Sequence, residues 1–253
     1  MRSLIKAPER IFLKNTNLEE ITKWIVSKDL YDQSGIPIRL VNTFSLGLAA
    51  LDLNYFRLLS GDGINLPDGK PPVIFNNLFR RKKLKSEQIR GIDLLNSVLT
   101  QSKSAGIGHF FLGSTDKVLD KMAANIFEEF GLTNVIFHQP GFIERTSAPS
   151  PELIEKIRNS GSHIVWVGLG TPNQDFFAKR LSDELPILVI AIGAAFDYLS
   201  KNKKVANPIL IKIGLEWFFR LLSEPKRLVK RYLLISPLWL ALLITRKIKW
   251  DSM

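Results

Sequence analysis

The sequence predicts an α/β protein with a doubly wound, mainly parallel sheet and a helical C-terminal appendage. Up to about Ser200, short β-rich runs alternate with longer helical patterns, which is typical of a parallel sheet with crossover helices. The β-rich runs are mostly apolar along their length, as expected for parallel strands that are buried on both faces. After Ser200 the chain contains aromatic and arginine-rich helical patterns, and we expect no further strand there.

Strands and helices are expected to alternate throughout the first part of the chain. The strands are predicted near residues 38–42, 64–66, 108–112, 134–138, 164–167 and 187–191. The helices are predicted near residues 18–27, 46–60, 87–104, 117–130, 151–160 and 173–182. A capping box formed by Thr16 and Glu19 is expected to open the first helix. These elements predict a Rossmann-like domain over residues 1–200, followed by the appendage over residues 201–253.

The composition restricts the class of protein. With 253 residues, of which 45% are hydrophobic, the chain is long and apolar enough to form a real core. Because it contains no cysteine, disulfides, thiolate zinc sites, iron–sulfur clusters and cysteine nucleophiles are excluded. Residues 1–12 alternate charged and apolar side chains and lack the apolar core of a signal peptide. We therefore expect a cytoplasmic protein.

Positive charge is concentrated in the appendage. The chain has a formal net charge of +11, and residues 201–253 contain twelve Lys and Arg against three acidic residues, a net charge of +9. Such asymmetry indicates an anionic partner, either nucleic acid or an acidic membrane surface. The basic residues are interleaved with aromatic residues and the apolar run 232–244, which favours an anionic membrane surface over nucleic acid. A second basic cluster, residues 80–83, is expected to be a solvated loop, with contact to phosphates or lipid as the alternative.

The apolar run 232–244 is too short to cross a membrane. Thirteen helical residues span about 20 Å, less than the roughly 30 Å of a bilayer's hydrocarbon core, and Pro237 interrupts them. We therefore expect the appendage to lie on the inner face of the plasma membrane, so that the protein is peripheral to it.

The predicted strand-to-helix turns are rich in glycine and small polar residues. In open α/β sheets, ligands bind beyond the carboxyl ends of the strands, where these turns lie. Glycine lets a phosphate or a sugar approach the backbone, and helix N-termini provide N–H groups for a diphosphate. Such turns are often glycine-rich without any ligand, but several together favour a binding site. The turns are residues 42–45, 66–69, 112–115, 167–174 and 192–197.

An ordered set of short motifs coincides with these turns and continues into the appendage. The set is Asn42, Pro67-Asp68-Gly69, Arg90-Gly91-x-Asp93-Leu94, Phe111-Leu112-Gly113, Val167-Gly168-Leu169-Gly170-x-Pro172-x-Gln174, Gly193-x-x-Phe196-Asp197 and Gly214-Leu215-Glu216-Trp217-x-x-Arg220-Leu221. In order and spacing, the set resembles the WecG/TagA/CpsF glycosyltransferases, glycosyltransferase family 26, over roughly residues 10–235. The sequence departs from the family pattern at Leu40, Asp175 and residues 205–207.

The resemblance implies an inverting glycosyltransferase of bacterial surface polysaccharide synthesis. It would move a hexosyl or N-acetylhexosaminyl group from a UDP-sugar to a polyprenyl-diphosphate-linked saccharide. Such transfer needs a carboxylate that accepts the proton of the acceptor hydroxyl, and positive groups that stabilise the leaving diphosphate. Asp68 is the expected base. On the residues alone, Pro-Asp-Gly is equally well read as a turn in which Asp68 caps the next helix.

The resemblance also implies the binding residues. The expected donor-binding residues are Asn42, Thr43, Arg90, Gly113, Gly168, Gly170, Gln174, Gly193 and Asp197. The expected diphosphate- or acceptor-binding residues are Arg220, Arg227, Lys230 and Arg231, in the part of the appendage that the family closes over its active site. Spacings of seven and four place Arg220, Arg227 and Arg231 on one face if the helix is continuous, although Pro225 makes that continuity uncertain.

Donor, cofactor and assembly are less closely defined. UDP-N-acetylmannosamine, UDP-glucose, UDP-glucuronate and UDP-galactose are all conceivable donors, and a homo-oligomer is left open. No Asp-x-Asp motif is present and the three histidines are scattered, so we expect neither a cofactor nor a bound metal. The alternative function is that of a non-enzymatic, nucleotide-binding, membrane-associated protein, which would not need a base such as Asp68.

Overall fold

Most strands lie in one six-stranded parallel sheet. The computed structural model describes residues 10–27, 35–79 and 86–252. Its strands are β1 (Ile11–Asn15), β2 (Ile36–Val41), β3 (Ile64–Pro67), β4 (His109–Gly113), β5 (Val135–His138), β6 (Ile164–Gly168), β7 (Leu188–Ala191) and β8 (Ile248–Ser252). The central sheet has the order β3-β2-β7-β6-β4-β5, and each neighbouring pair is parallel. The predicted α/β class and its doubly wound, Rossmann-like sheet are confirmed. The basic cluster at residues 80–83 lies outside the described residues.

The helices between the strands differ from the prediction in three places. They are α1 (Leu18–Ile25), α2 (Thr43–Leu51), α3 (Leu53–Ser60), α4 (Lys70–Phe79), α5 (Gly91–Ala105), α6 (Asp116–Phe130), α7 (Pro151–Asn159), α8 (Asn173–Glu184) and α9 (Ala195–Leu199). The helix predicted over 46–60 is divided at Asp52, whose extended backbone ends α2 and whose carboxylate caps α3. Helices α4 and α9 were not predicted.

The capping box predicted at the first helix is wrong. Helix α1 begins after Asn17, whose Oδ1 accepts a hydrogen bond from the backbone N–H of Glu20 at 2.8 Å. Thr16 instead donates its hydroxyl to the Glu20 carboxylate at 2.9 Å, and Glu19 pairs with Lys23 at 2.6 Å. The cap therefore lies one residue later than predicted.

The central sheet is covered on both faces. Phe111 and Trp166 face a layer that includes α1, α5 and α6. Phe110 and Val165, their neighbours along β4 and β6, face the layer of α7 and α8. This alternation, with every strand residue from His109 to Gly113 buried, explains why the strands are apolar along their whole length.

The C-terminal part of the chain is helical, as predicted, but it also ends in a strand. It comprises α10 (Pro208–Ile213), α11 (Glu216–Ser223), α12 (Pro225–Val229), a π-helical segment (Lys230–Ile235), a 3₁₀ turn (Ser236–Leu238), α13 (Trp239–Ile244) and β8. The expectation of no strand after Ser200 is wrong, because β8 pairs in parallel with β1, with Ile248 opposite Ile11. The division into domains at residue 200 stays a prediction. Within the described ranges, no helix is long and apolar enough to span a bilayer.

The last part of the C-terminal segment belongs to a core of its own. Trp239 and Leu242 of α13 are buried together with Leu46 of α2 and Leu13 of β1. Helix α2 can approach this segment closely because residue 47 is glycine: a Cβ at Gly47 would lie 2.0 Å from the carbonyl oxygen of Ile235. Strand β1 and the segment from α13 to β8 are therefore packed together beside the central sheet.

Gly47→Ala is expected to destabilise the protein, although alanine is the better helix former. Overpacking of a close contact costs about 1–3 kcal/mol, whereas a free position in a helix would gain about 1 kcal/mol from the same change. The free energy of unfolding, from denaturant titration, decides between the two signs. An increase would contradict the packing of Ile235 against α2.

Candidate active site

Two adjoining pockets lie at the carboxyl ends of the central strands. The polar pocket has a volume of about 280 Å³. Its lining includes Arg90, Ser114, Gly168, Gly170, Gln174, Gly193, Asp197, Lys203, Glu224 and Arg227. The apolar pocket has a volume of about 380 Å³. Its lining includes Thr43, Lys70, Pro71, Ile211, Glu216, Trp217, Leu233, Pro237, Trp239 and Leu240. Both pockets share Asn42, Asp68, Arg220, Arg231 and Tyr232.

Asn42 and Asp68 face each other across β2 and β3. Val41 is opposite Pro67 in the parallel register, so the residues that follow the two strands are also neighbours. Asn42 caps α2: its Oδ1 accepts from the backbone N–H groups of Phe44 and Ser45 at 3.0 and 3.2 Å. The cap fixes the amide so that its Nδ2 donates to the Asp68 carboxylate at 3.2 Å. Asp68 therefore accepts a bond from a helix cap and is not itself a cap.

The pKa of the Asp68 carboxyl is raised toward neutral pH. Burial raises its pKa to about 6, and the negative charge of Glu216 adds to this rise. The positive charges of Arg220 and Arg231 and the hydrogen bond from Asn42 act in the opposite direction. A carboxyl group in such surroundings can accept a proton and release it near physiological pH.

Two arginines from the C-terminal helices lie beside Asp68 at the junction of the pockets. Arg220 contacts Glu216 on its own helix, and its guanidinium lies 5.2 Å from the ring centre of Tyr198. The Arg231 guanidinium stacks on Phe44 at 4.2 Å. The buried Nε atoms of both arginines have no hydrogen-bond partner. Both arginines line the two pockets, so their positive charge is close to any ligand bound at the junction.

The remaining cations of the polar pocket are paired with carboxylates. Arg90 binds Glu216 with two hydrogen bonds of 3.0 and 3.2 Å and also pairs with Asp93 at 3.1 Å. Lys203 lies 2.9 Å from Asp197 and 3.1 Å from Glu224. Arg227 donates to the same Glu224 at 2.6 Å.

Gln174 lies between two glycine turns. Its Oε1 accepts from the backbone N–H of Gly170 at 3.1 Å, and a Cβ at Gly193 would approach that oxygen to 3.2 Å. Gly193 has a φ of +55° and Gly170 a φ of +81°, a region that favours glycine. Gln174 thus orders the turns that line the pocket, while its role as a donor ligand stays a prediction.

Asp175, one of the departures from the family pattern, points away from the pockets into the core. Its carboxylate accepts a hydrogen bond from the Tyr55 hydroxyl at 2.5 Å, and burial raises its pKa to about 6. This bond joins α3 to the first turn of α8, which carries Gln174. The Asp175 side chain is therefore used in packing α8 against α3.

The structure brings most of the predicted site residues together, with three exceptions. Thr43 lines only the apolar pocket, Gly113 lies behind Gly168, and Lys230 is exposed outside both pockets. Lys203, Glu216, Glu224 and Tyr232 line the pockets and were not predicted. Of these, only Glu216 had a sequence signal, its place in the Gly214–Leu221 motif. In the part of the chain that the structure describes, no group of three or more His, Asp or Glu side chains is arranged to hold a metal ion.

The two pockets lie where open α/β sheets bind ligands, with the partly buried Asp68 at their junction. The sequence profile described as the Glycosyl transferase WecG/TagA/CpsF family matches residues 9–252. The chain therefore belongs to this family of glycosyltransferases.

Two similar proteins are both named N-acetylglucosaminyldiphosphoundecaprenol N-acetyl-beta-D-mannosaminyltransferase. The protein of Bacillus spizizenii (strain ATCC 23059 / NRRL B-14472 / W23) is 32% identical over 174 residues, which cover 68% of this chain and 65% of that protein. The protein of Bacillus subtilis (strain 168) is 28% identical over 214 residues, which cover 84% of this chain and 81% of that protein. The names describe transfer of a sugar to a polyprenyl-linked acceptor.

Asn42→Ser is expected to raise the pKa of Asp68 above about 6. Serine caps a helix as well as asparagine does, but it removes the amide that donates to the ionised Asp68 carboxylate. Carbon-13 NMR titration of the Asp68 carboxyl measures the change. Asn17→Ser, which replaces the cap of α1 far from the pockets, is the matched control and should leave this pKa unchanged. An unaltered or lower pKa in Asn42→Ser would show that the amide does not stabilise the carboxylate.

Proposed function

We propose that the protein is an inverting glycosyltransferase that moves a sugar from a UDP-sugar to a polyprenyl-diphosphate-linked saccharide. The observation that carries the proposal is the position of Asp68 at the junction of a polar and an apolar pocket. A base at this junction can reach an acceptor hydroxyl in one pocket while that hydroxyl attacks a donor in the other. The names of the two relatives make N-acetylmannosamine the first sugar to test.

The polar pocket is the proposed donor site. It lies at the carboxyl edge of a parallel sheet, where α/β proteins bind nucleotides, and the turns at Gly168, Gly170 and Gly193 let a ligand approach the backbone. Arg220 and Arg231 line this pocket, and the diphosphate is placed beside them in this proposal. Their positive charge would stabilise the charge that develops on the leaving UDP.

The proposed reaction exchanges one bond at the anomeric carbon. The acceptor hydroxyl forms a bond to this carbon from one face while the bond to the diphosphate oxygen breaks on the other. Asp68 takes the hydroxyl proton, and UDP leaves with the bonding electron pair. Only the ionised carboxylate can accept a proton. With a pKa of about 6, Asp68 is mostly ionised at neutral pH and can therefore act as the base.

The apolar pocket is the proposed acceptor site. Trp217, Leu233, Trp239 and Leu240 supply an apolar lining next to the arginines, which suits a lipid joined to a diphosphate. Nearby, Leu233 and Leu234 have 58% and 63% of their surface exposed. Together with the net charge of +9 beyond residue 200, these leucines support peripheral binding at the inner face of an anionic plasma membrane.

Asp68→Asn is expected to lower kcat by at least about 10²-fold, the lower range for loss of a general base, while the affinity for UDP stays nearly unchanged. The assay uses UDP-N-acetylmannosamine with a lipid-linked N-acetylglucosamine acceptor, and calorimetry gives the dissociation constant of UDP. Asp116→Asn, an exposed acid that opens α6 at the same sheet edge, is the control. Near-normal turnover of Asp68→Asn would remove Asp68 from the chemistry.

The double substitution of Leu233→Glu and Leu234→Glu is expected to lower binding to vesicles of phosphatidylcholine and phosphatidylglycerol by at least about tenfold. Each leucine contributes about 1.5–3 kcal/mol when fully buried in lipid, and each new charge is repelled by the anionic surface. Deletion from Ile235 onward is a poorer test, because it removes Trp239 and Leu242 from the core.

Cosedimentation with the vesicles measures this binding. Phe127→Glu on α6, where the phenylalanine is 63% exposed and outside both pockets, is the matched control. Equal sedimentation of the double variant and the wild type would place the membrane contact elsewhere.

A further inference from the structure

Two glutamates at the ends of α11 connect the C-terminal helices to the α/β core. Glu216 is the first residue of α11, and Glu224 follows its last residue, Ser223. Each glutamate binds one cation that precedes the C-terminal helices, Arg90 or Lys203, and one arginine within them. The same pattern therefore occurs twice, at either end of one helix.

The first bridge joins Glu216 to Arg90, which precedes α5. Two hydrogen bonds of 3.0 and 3.2 Å make this pair bidentate, and the side chains are only 9% and 13% exposed. The same carboxylate contacts Arg220, four residues later on α11. Arg220 lines both pockets beside Asp68. Its guanidinium also contacts Glu216, so the position of this carboxylate affects how the guanidinium is oriented in the pockets.

The second bridge joins Glu224 to Lys203, which also pairs with Asp197 of α9. The Lys203 ammonium lies 3.1 Å from Glu224 and 2.9 Å from Asp197. Glu224 in turn accepts from Nε of Arg227 at 2.6 Å, and Arg227 lines the polar pocket. Asp197 thus holds Lys203, Lys203 holds Glu224, and Glu224 holds Arg227.

Helix α11 has no fully buried apolar side chain. No residue of this helix is buried, and Trp217, Phe218 and Leu222 are 41%, 46% and 67% exposed. A helix without a buried apolar face is held by its polar contacts. The two glutamate bridges therefore contribute to holding α11 in place, beside the contact of Trp217 with Tyr232.

We propose that Glu216 and Glu224 are positioning residues, which hold α11 and α12 over the polar pocket and orient Arg220 and Arg227 toward the donor diphosphate. The identity of the ligand rests on the proposed function, whereas the attachment of the helices does not. A guanidinium has five N–H donors, so Arg220 can bind Glu216 with one nitrogen and keep other N–H groups for a phosphate oxygen.

Limited digestion with trypsin tests the attachment. In Glu216→Gln and in Glu224→Gln, cleavage of the folded protein after Arg220 and Arg227 is expected to be at least about tenfold faster than in the wild type, because a charged hydrogen bond is lost. Glu19→Gln and Glu155→Gln remove glutamate pairs of the same spacing from α1 and α7, and should not change these rates.

Two variants are used so that faster cleavage can be distinguished from a general loss of folding. Glu216→Gln leaves the buried Arg90 with a weaker partner, so thermal unfolding checks that it is folded. Glu224 is about one-third exposed, so Glu224→Gln is expected to keep the wild-type unfolding temperature. Wild-type cleavage rates in both folded variants would overturn the proposal.

Calorimetry with UDP tests the orientation of the arginines. The dissociation constant of UDP is expected to rise about tenfold in both variants and to stay unchanged in both controls. Faster cleavage with unchanged UDP affinity would overturn the orienting role. A wild type that binds no UDP would contradict the proposed function and the orienting role with it, while the cleavage rates alone would still decide whether the glutamates hold the helices.

Discussion

A carboxylate that is partly withdrawn from water is stabilised by nearby hydrogen-bond donors and positive charge, and the arrangement around Asp68 follows from this requirement. No single element supplies both. The amide comes from Asn42 at the start of α2, and the positive charges come from Arg220 and Arg231, far along the chain. The parallel register of β2 and β3 brings Asn42 and Asp68 together, and the C-terminal helices must fold back to complete the site.

The pairing of the other cations limits what the site can bind. Arg90, Lys203 and Arg227 are each engaged by a carboxylate, so their charge is largely compensated within the protein. Arg231 forms no ion pair with a described residue, and it lies with Arg220, which shares Glu216 with Arg90, where the polar and apolar pockets meet. A ligand with concentrated negative charge is therefore best accommodated at this junction, beside the proposed base, and not deeper among the glycine turns.

The fold was largely predictable because the information that defines it is local. Six apolar runs mark the buried strands, and the glycine-rich turns between them mark the ligand-binding edge. The pairing of β1 with β8 was not predictable, since it joins residues such as Ile11 and Ile248 from opposite ends of the chain. Helix α4 was missed because Pro71 and Pro72 in its first turn resemble a loop.

The candidate site was predictable where a motif marks it, as at Asp68 and Arg220. The residues that act through a partner carry no such signal: Lys203 has the sequence of a solvated basic turn, yet it joins Asp197 to Glu224. Lys230 shows the opposite error. It was predicted to bind the diphosphate or acceptor together with Arg227 and Arg231. Instead it lies exposed at the start of the π-helical segment, while the adjacent Arg231 lines both pockets.

A crystal structure of the protein with UDP bound tests the central claim most directly, because that claim assigns donor and acceptor to different sides of Asp68. The account predicts that the diphosphate lies in the polar pocket, within hydrogen-bond distance of Arg220 and Arg231, with the apolar pocket left open to the acceptor. A nucleotide seated between Trp217 and Leu240 in the apolar pocket, or bound away from Asp68 altogether, would contradict it.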